Sequence, residues 1–468
     1  MRRNQRALSS RRFKILMRTS YLSLSVICLG LCSILGEAQA ADTQNLVQIY
    51  QQALAHDPVW ASAQSSRLAT QEKLVQGKAQ LLPTVTFNAG ASEVQADTKF
   101  LGGSSVLQGG KHNFETYNYG VSVTQPVYRK QIRAQIEQAK SQVVQADKLL
   151  TLAQQNLILR ASKAYFDVLL AQDKIDLIAA QKAAIKKQLE QAKANFEVGT
   201  STITDFNEAQ ARFDLISAQE IAAINELEVK KRGIQAIVGS TPQILAAVRD
   251  DLIAQSPEPM DMEKWVEVAE QSNLNIAMQE QALEVATQEI ERQNAGHLPT
   301  LDAVGGYNNS YANGTSSGLG NGSDVTTATI GLQLQIPIYQ GGFVSSKVRE
   351  AVANKQKAQD DLDLAKRQAD LDARSAYLNL VSSVAQIKAY EQALNSSQSQ
   401  LDSTNLGYEV GVRTSVDVLN AQQQYFSAKK DLLQSRYTYL LNVLSLKSAV
   451  GLLGDADLEN LNQQLVSH

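Results

Sequence analysis

Cysteine is almost absent from this chain. Its 468 residues contain two, Cys28 and Cys32, which excludes a disulfide framework, a CxxC redox pair and a cysteine-ligated zinc site. Histidine is nearly as scarce. His56, His112, His297 and His468 are too scattered to form a metal centre, so no metal or cofactor is expected. The net charge of −3 provides no basic surface for nucleic acid. No Walker A or dinucleotide fingerprint is present, so the chain has no nucleotide-driven motor of its own. Gly314-Thr315-Ser316-Ser317-Gly318 matches the nucleophile-elbow pattern. It lies in a glycine-rich stretch rather than between a buried strand and a helix, and no enzyme is expected. Beyond residue 40 no apolar run is long enough for a transmembrane helix. Apolar residues still make up 44% of the chain, enough for a core, which excludes wholesale disorder.

The N-terminus reads as an export signal over 1–40. Arg2, Arg3, Arg6, Arg11, Arg12, Lys14 and Arg18 precede an apolar run from Tyr21 to Leu35, and Ala38-Gln39-Ala40 fits signal-peptidase cleavage. Met17 is an alternative start, and an uncleaved anchor is the competing reading. Cleavage would remove both cysteines. It would leave 428 residues with 37 basic and 46 acidic side chains, a net charge of −9. Such a chain suits a bacterial envelope.

The rest of the chain is written twice. Leu82-Pro83-Thr84 recurs as Leu298-Pro299-Thr300, Pro126-Val127-Tyr128 as Pro337-Ile338-Tyr339, and Ala164-Tyr165 as Ala376-Tyr377. Val198-Gly199 recurs as Val410-Gly411, and Asp205 as Asp417. The expected division is a first repeat over 41–250, a linker at 251–262, a second repeat over 263–452 and a tail at 453–468. There are only eight prolines, and neither proline nor glycine interrupts 127–198 or 343–406. Each stretch can therefore be one helix of ~100 Å. Ile132, Ile136, Ala139, Val143, Ala146, Leu150, Ala153 and Leu157 step by four and three, as a coiled-coil seam does; Ala161, Ala164, Val168, Ala171, Ile175 and Ile178 continue it after one extra step of four. A second helix at about 202–238 and 414–450 completes hairpins spanning about 129–238 and 342–450, with Gly199 and Gly411 at the turns.

Ahead of each long helix the period changes to two. Strands are expected near 84–94, 117–127, 300–311 and 326–338, with exposed loops at 95–116 and 312–325. Tyr117, Tyr119, Tyr128, Tyr307, Tyr311 and Tyr339 are expected at strand ends, as an interfacial aromatic girdle. Four strands cannot close a membrane barrel, so at least two chains must contribute. A small soluble sheet is the alternative.

Three segments carry a family resemblance: Gly296-His297-Leu298-Pro299-Thr300-Leu301-Asp302, Pro337-Ile338-Tyr339-Gln340-Gly341-Gly342, and Tyr408-Glu409-Val410-Gly411-Val412-Arg413-Thr414-Ser415-Val416-Asp417-Val418-Leu419. With the repeat, they make the chain resemble the TolC family of outer-membrane channel proteins over 42–455. The resemblance implies a mainly α fold with membrane β: a homotrimer with a 12-stranded β-barrel in outer-membrane lipid and a 12-helix periplasmic tunnel. It also implies an equatorial domain that includes about 239–262 and the residues after Leu452. A periplasmic adaptor and an inner-membrane transporter of ABC, RND or MFS type are the implied partners. The implied task is a gated conduit for drugs, toxic small molecules or type I protein secretion. A periplasmic coiled-coil adaptor or structural envelope protein is the alternative.

The resemblance places a periplasmic gate at Thr204, Asp205, Tyr408 and Arg413, where Arg413 can bridge to Asp205 and Tyr408 offers a hydroxyl. It places an acidic lumen ring at Asp417. The ring's second position is Asn420 in this chain; the repeat-equivalent Glu208 is expected to supply part of the missing charge. The turns at Val198-Gly199 and Val410-Gly411 resemble adaptor-docking tips, with plain helix C-caps as the other reading. Thr202–Asp205 and Thr414–Asp417 also fit a capping-box spacing, which leaves open capping alone or capping combined with gating.

Overall fold

The computed structural model describes residues 43–101, 109–249, 251–316 and 321–466. The expected signal at 1–40, with both cysteines, lies outside them. Two helices begin the described chain, α1 (Leu46–His56) and α2 (Pro58–Ala79). A hairpin of β1 (Thr84–Thr98) and β2 (Gly110–Tyr128) leads into α3 (Lys130–Glu197) and α4 (Ile203–Val238). The second repeat follows the same order: α5 (Met262–Ser272), α6 (Leu274–Asn294), β3 (Thr300–Ala312), β4 (Ser323–Gln335), α7 (Phe343–Glu409) and α8 (Ser415–Ala449). A short α9 (Asp455–Asn462) follows.

The proline- and glycine-free stretches form the two expected helices, of 68 and 67 residues. Every residue of the seam from Ile132 to Ile178 is buried or half-buried. The sequence reading assigned no element to α1, α2, α5 and α6. They matter because α3 and α7 run the full length of the wall while their neighbours change. In one half α2 packs on α3, α3 on α6 and α6 on α7; in the other α4 packs on α3, α3 on α8 and α8 on α7. Four helices therefore stand side by side at either level.

The main core lies where the two levels meet. Tyr165 and Phe166 of α3 pack with Tyr437, Leu440 and Leu444 of α8, and with Leu46 and Ile49 of α1 and Leu458 and Leu461 of α9. Chain segments beside it pair as short bridges, Gln44 with Leu245 and Val248 with Leu465. The Tyr165 hydroxyl donates to the Ala246 carbonyl at 2.7 Å. Gln155 donates to the carbonyls of Gly451 and Leu453, both at 3.0 Å.

The sheet has the order β1-β2-β3-β4, antiparallel throughout. Its register sorts the side chains by face. Phe87, Val121, Tyr307 and Ala328 share one row, and Val85, Val123, Gly305 and Ile330 the next. The other face carries Asn88, Gly120, Asn308 and Thr327, then Thr86, Ser122, Gly306 and Thr329. Tyr117 and Tyr311 meet near the loop end with ring centroids 6.0 Å apart. Tyr117, Tyr119 and Tyr307, expected at strand ends, sit well inside β2 and β3. The β1–β2 ladder continues to Thr98 and Gly110, further than the alternation predicted, because in these outer rungs the apolar side chains change face: Glu93, Gln95 and Asp97 follow Phe87, while Val94 and Phe114 stand on the Asn88 face. β4 stops at Gln335, short of the expected 338; Pro337 has no N–H to give a ladder. Among the described residues, strands β1 and β4 each leave one edge without a neighbour. Among the described residues no helix is long and apolar enough to cross a membrane.

Two ion pairs fasten the junctions. Arg129, at the N-cap of α3, grips Asp302 of β3 with two guanidinium nitrogens, so each repeat holds the other where sheet becomes helix. Arg160 grips Asp57 in the same forked way, with both bonds at 2.9 Å. Asp57 separates α1 from α2 and is only 2% exposed; it caps α2 by accepting from the Trp60 N–H at 2.7 Å. Burial alone would raise its pKa, but the Arg160 bonds and the Trp60 N–H outweigh burial and hold it below the ordinary carboxylate range. Asp57→Ala therefore destabilises the fold by about 2–4 kcal/mol, read as a lower denaturation midpoint of the purified protein. A depressed carboxyl pKa contributes stability above the unfolded-state value and loses it as pH falls through the folded one. The gap between wild type and variant should be full at neutral pH and shrink below about pH 4.

Candidate gate at the hairpin tips

Both hairpins end in the same turn. After α3, Gly199 takes φ +77°; its N–H donates to the Phe196 carbonyl at 3.0 Å, and the Thr200 N–H to that of Asn195 at 2.9 Å. After α7, Gly411 takes φ +81°, with Gly411 N–H to Tyr408 O at 3.1 Å and Val412 N–H to Gly407 O at 2.9 Å. These are glycine C-caps that satisfy the last helical carbonyls. They leave apolar side chains in solvent: Val198 is 74% exposed and Val410 66%.

The following helices start with capping boxes. Thr202 Oγ1 accepts from the Asp205 N–H at 3.2 Å, and Asp205 Oδ2 accepts from the Thr202 N–H at 3.1 Å. Asp205 Oδ2 also accepts from the hydroxyls of Ser201 at 2.8 Å and Thr202 at 2.9 Å. The second box repeats this: Thr414 Oγ1 accepts from the Asp417 N–H at 3.2 Å, and Asp417 Oδ2 accepts from the Thr414 N–H and hydroxyl, both at 2.9 Å. The hydroxyl of Ser201, helped by Thr202, lowers the Asp205 pKa; the Thr414 backbone N–H, then its hydroxyl, lowers that of Asp417, to which Arg413 adds. Both carboxylates are ionised at neutral pH. In each, the cap uses Oδ2; among the described residues nothing donates to Oδ1. Capping is real at both tips and leaves half of each carboxylate available.

The two tips differ at many corresponding positions, and three of these differences bring the other candidate residues together. Asn195 of α3 corresponds to Gly407 of α7, Phe196 to Tyr408, and Ser201 to Arg413. Asn195 donates through Nδ2 to the Tyr408 hydroxyl at 3.3 Å, which joins the two hairpins. At Gly407 a Cβ would lie 2.7 Å from Arg413 Cγ, so the glycine makes room for the Arg413 stem to lie back over α7. Among the described residues, Arg413 makes no hydrogen bond or ion pair with Asp205 of its own chain. It borders a polar cavity of about 270 Å³ with Gln400, Thr404, Asp417, Asn420 and Gln424. Thr204 lies exposed in the first turn of α4, with no side-chain bond among those described.

Glu208 is not isolated. Arg212, one turn along α4, donates Nε–H to Glu208 Oε1 at 3.0 Å, and through its other nitrogens reaches Asn420 and Gln423 of α8. Below this contact Leu419 of α8 packs into the α3–α4 seam of Ile178, Ile185, Ala192, Ala209, Ile216 and Ala223. Sequence reasoning missed Asn195, Ser201, Gly407, Arg212 and Gln423. Comparing positions 212 apart would have exposed the first three, because there the repeat breaks its own symmetry.

The outer membrane efflux protein family matches the chain twice, over residues 49–240 and 265–452. The outer membrane protein TolC of Vibrio cholerae is 35% identical over 92% of this chain and 95% of its own length. The proteases secretion protein PrtF of Dickeya chrysanthemi is 29% identical over 91% of both chains. The crystal structure of the Campylobacter jejuni CmeC outer membrane channel superposes with a TM-score of 0.72 at 17% identity, over 91% of each chain. With both repeats matched by the family and a full-length relative above 30% identity, this chain belongs to the outer membrane efflux proteins, the TolC family of outer-membrane channels.

Proposed function

We propose that this outer-membrane channel is a homotrimeric conduit whose periplasmic end is held closed by contacts among its hairpin tips. It would pass efflux substrates or secreted proteins from an inner-membrane transporter and a periplasmic adaptor. The observation that carries the gate is the pairing of unfilled valences. Among the described residues the Arg413 guanidinium has no hydrogen-bonded acid, and Asp205 has a carboxylate oxygen that its cap does not use. Three copies around an axis would bring such groups together across the boundary between neighbours. Thr204 and the Tyr408 hydroxyl stand beside them as further hydrogen-bonding groups. An ion pair at so wet a site is worth ~0–1 kcal/mol, weak enough for a partner to open.

The trimer is supported by what one chain leaves uncovered. The two bare sheet edges call for neighbours, and three copies supply twelve strands. Leu364, Leu371 and Leu378, seven residues apart on α7, are exposed in the single chain as an unfilled coiled-coil seam would be. The exposed apolar turns at Val198-Gly199 and Val410-Gly411 suit docking by an adaptor. Asp417 and Glu208 are the carboxylates of the proposed lumen ring. On this reading residues 1–40 are the export signal, 251–262 links the repeats, and the linker and C-terminal segment belong to the equatorial layer.

Single-channel recording in planar bilayers tests the gate. Tyr408→Phe/Arg413→Ser should raise the small wild-type conductance severalfold; equal conductances would return these residues to caps and surface charge. Asp417→Asn should weaken block by divalent cations added from the periplasmic side, and unchanged block would remove Asp417 from the ring.

A further inference from the structure

We infer that Arg212 is a second clamp on the same mouth, one that ties α4 to α8 within each protomer and at the same time masks the charge of Glu208. The inference rests on the gate reading above but on different atoms. Arg212 stands nine residues into α4, about 13 Å from the turn. Its guanidinium is only partly exposed, and its nitrogens are divided between two helices: Nε–H goes to Glu208 of its own helix, one terminal nitrogen to Gln423 Oε1, and the other to Asn420 Oδ1 at 3.2 Å. A planar fork can hold this arrangement, whereas a lysine, with one point charge, cannot.

The site is built by asymmetry between the repeats. The position corresponding to Glu208 in the second repeat is Asn420, and that corresponding to Arg212 is Gln424. The acid and the cation both lie on α4, while α8 offers neutral amide oxygens. Charge-assisted bonds to neutral acceptors hold the helices together without adding net charge. Leu419, next to Asn420, is already seated in the α3–α4 seam, so the clamp closes over an apolar contact that α8 must leave when it swings away from α4. Opening by separation of α4 from α8 has to break both Arg212 bonds to α8, while the Arg212–Glu208 pair can travel intact on α4.

Two consequences separate the clamp from simple charge. In the resting channel Glu208 contributes little to the acidic ring, because its partner carries the opposite charge at 3.0 Å. One guanidinium offsets one carboxylate, so an acid at position 420 would leave the cluster with an excess negative charge, and Asn420→Asp should tighten cation block even while Arg212 is present.

The test records conductance and divalent-cation block for wild type, Arg212→Gln, Arg212→Lys and Asn420→Ala/Gln423→Ala. Each is first checked for heat-resistant trimer on gels. Arg212→Gln should raise conductance severalfold and make block tighter, since Glu208 is unmasked. Asn420→Ala/Gln423→Ala should raise conductance to a similar level with block unchanged, since Arg212 still answers Glu208. Arg212→Lys should open nearly as far as Arg212→Gln, because the charge is kept and the fork lost. If Arg212→Gln trimers conduct as wild type does, the clamp is overturned. When Tyr408→Phe/Arg413→Ser opens in the same series, only the clamp falls; when neither opens, the gate reading falls with it. Equal tightening of block in Arg212→Gln and in the amide double variant would overturn the masking of Glu208.

Discussion

The constraint on which the rest of the structure depends is the pair of bare edges on its four-stranded sheet. Every backbone N–H and C=O that enters lipid needs a partner, because the hydrocarbon offers none. One chain satisfies three ladders and leaves the outer sides of β1 and β4 open. The sheet already has the facial sorting of a membrane wall, with Phe87, Val121, Tyr307 and Ala328 on one side and Asn88, Gly120, Asn308 and Thr327 on the other. Completing the edges with copies of itself fixes the spacing of everything below. Each hairpin pair descends from its own stretch of sheet through a junction fastened by Arg129 and Asp302.

Within that frame, duplication supplies economy and the departures from it supply function. The two repeats share helix lengths, glycine turns and capping boxes almost residue for residue. Their tips differ where Asn195, Phe196 and Ser201 face Gly407, Tyr408 and Arg413. A perfectly repeated tip would carry two identical sets of donors or acceptors with nothing complementary to meet. The altered tip places a cation and a phenol on one hairpin and leaves acids and amides on the other, which is what a reversible polar closure requires.

Much of this was legible in the sequence. Long helices announce themselves when proline and glycine vanish for some seventy residues, and the seam beginning at Ile132 was read residue by residue. The capping boxes were visible because Thr202 to Asp205 and Thr414 to Asp417 have a fixed local geometry. Helices α2 and α6 were not visible. In α2 only Trp60 and Gly77 are buried, while Val59, Leu68 and Val75 lie exposed, so the periodic signal that marks an amphipathic helix is missing. The strand ends differ for a related reason: at Val94 and Phe114 the apolar side chains change face, so the alternation that marks a strand is broken. At the site, the sequence pointed to the right turns but not to contacts made across 200 residues. The Asn195–Tyr408 bond and the Arg212 fork exist only because α8, packed on both α3 and α7, brings the two hairpins together.

The exchange of neighbours along the wall has a mechanical side. Helices α3 and α7 are continuous, while α2 gives way to α4 and α6 to α8 at the level of the main core. Each hairpin, with α4 packed along α3 and α8 along α7, is thus anchored in the main core at one end by Tyr437, Leu440, Leu444 and their counterparts, and its tip lies outside that core. At 36 residues, α4 is about 54 Å long, so a tilt of about 10° at its anchored end carries the tip through roughly 9 Å. That swing exceeds the reach of any hydrogen bond and is comparable with the spacing of packed helices. A small rotation close to the core, too slight to unpack it, is enough leverage to part every polar contact at the far end at once.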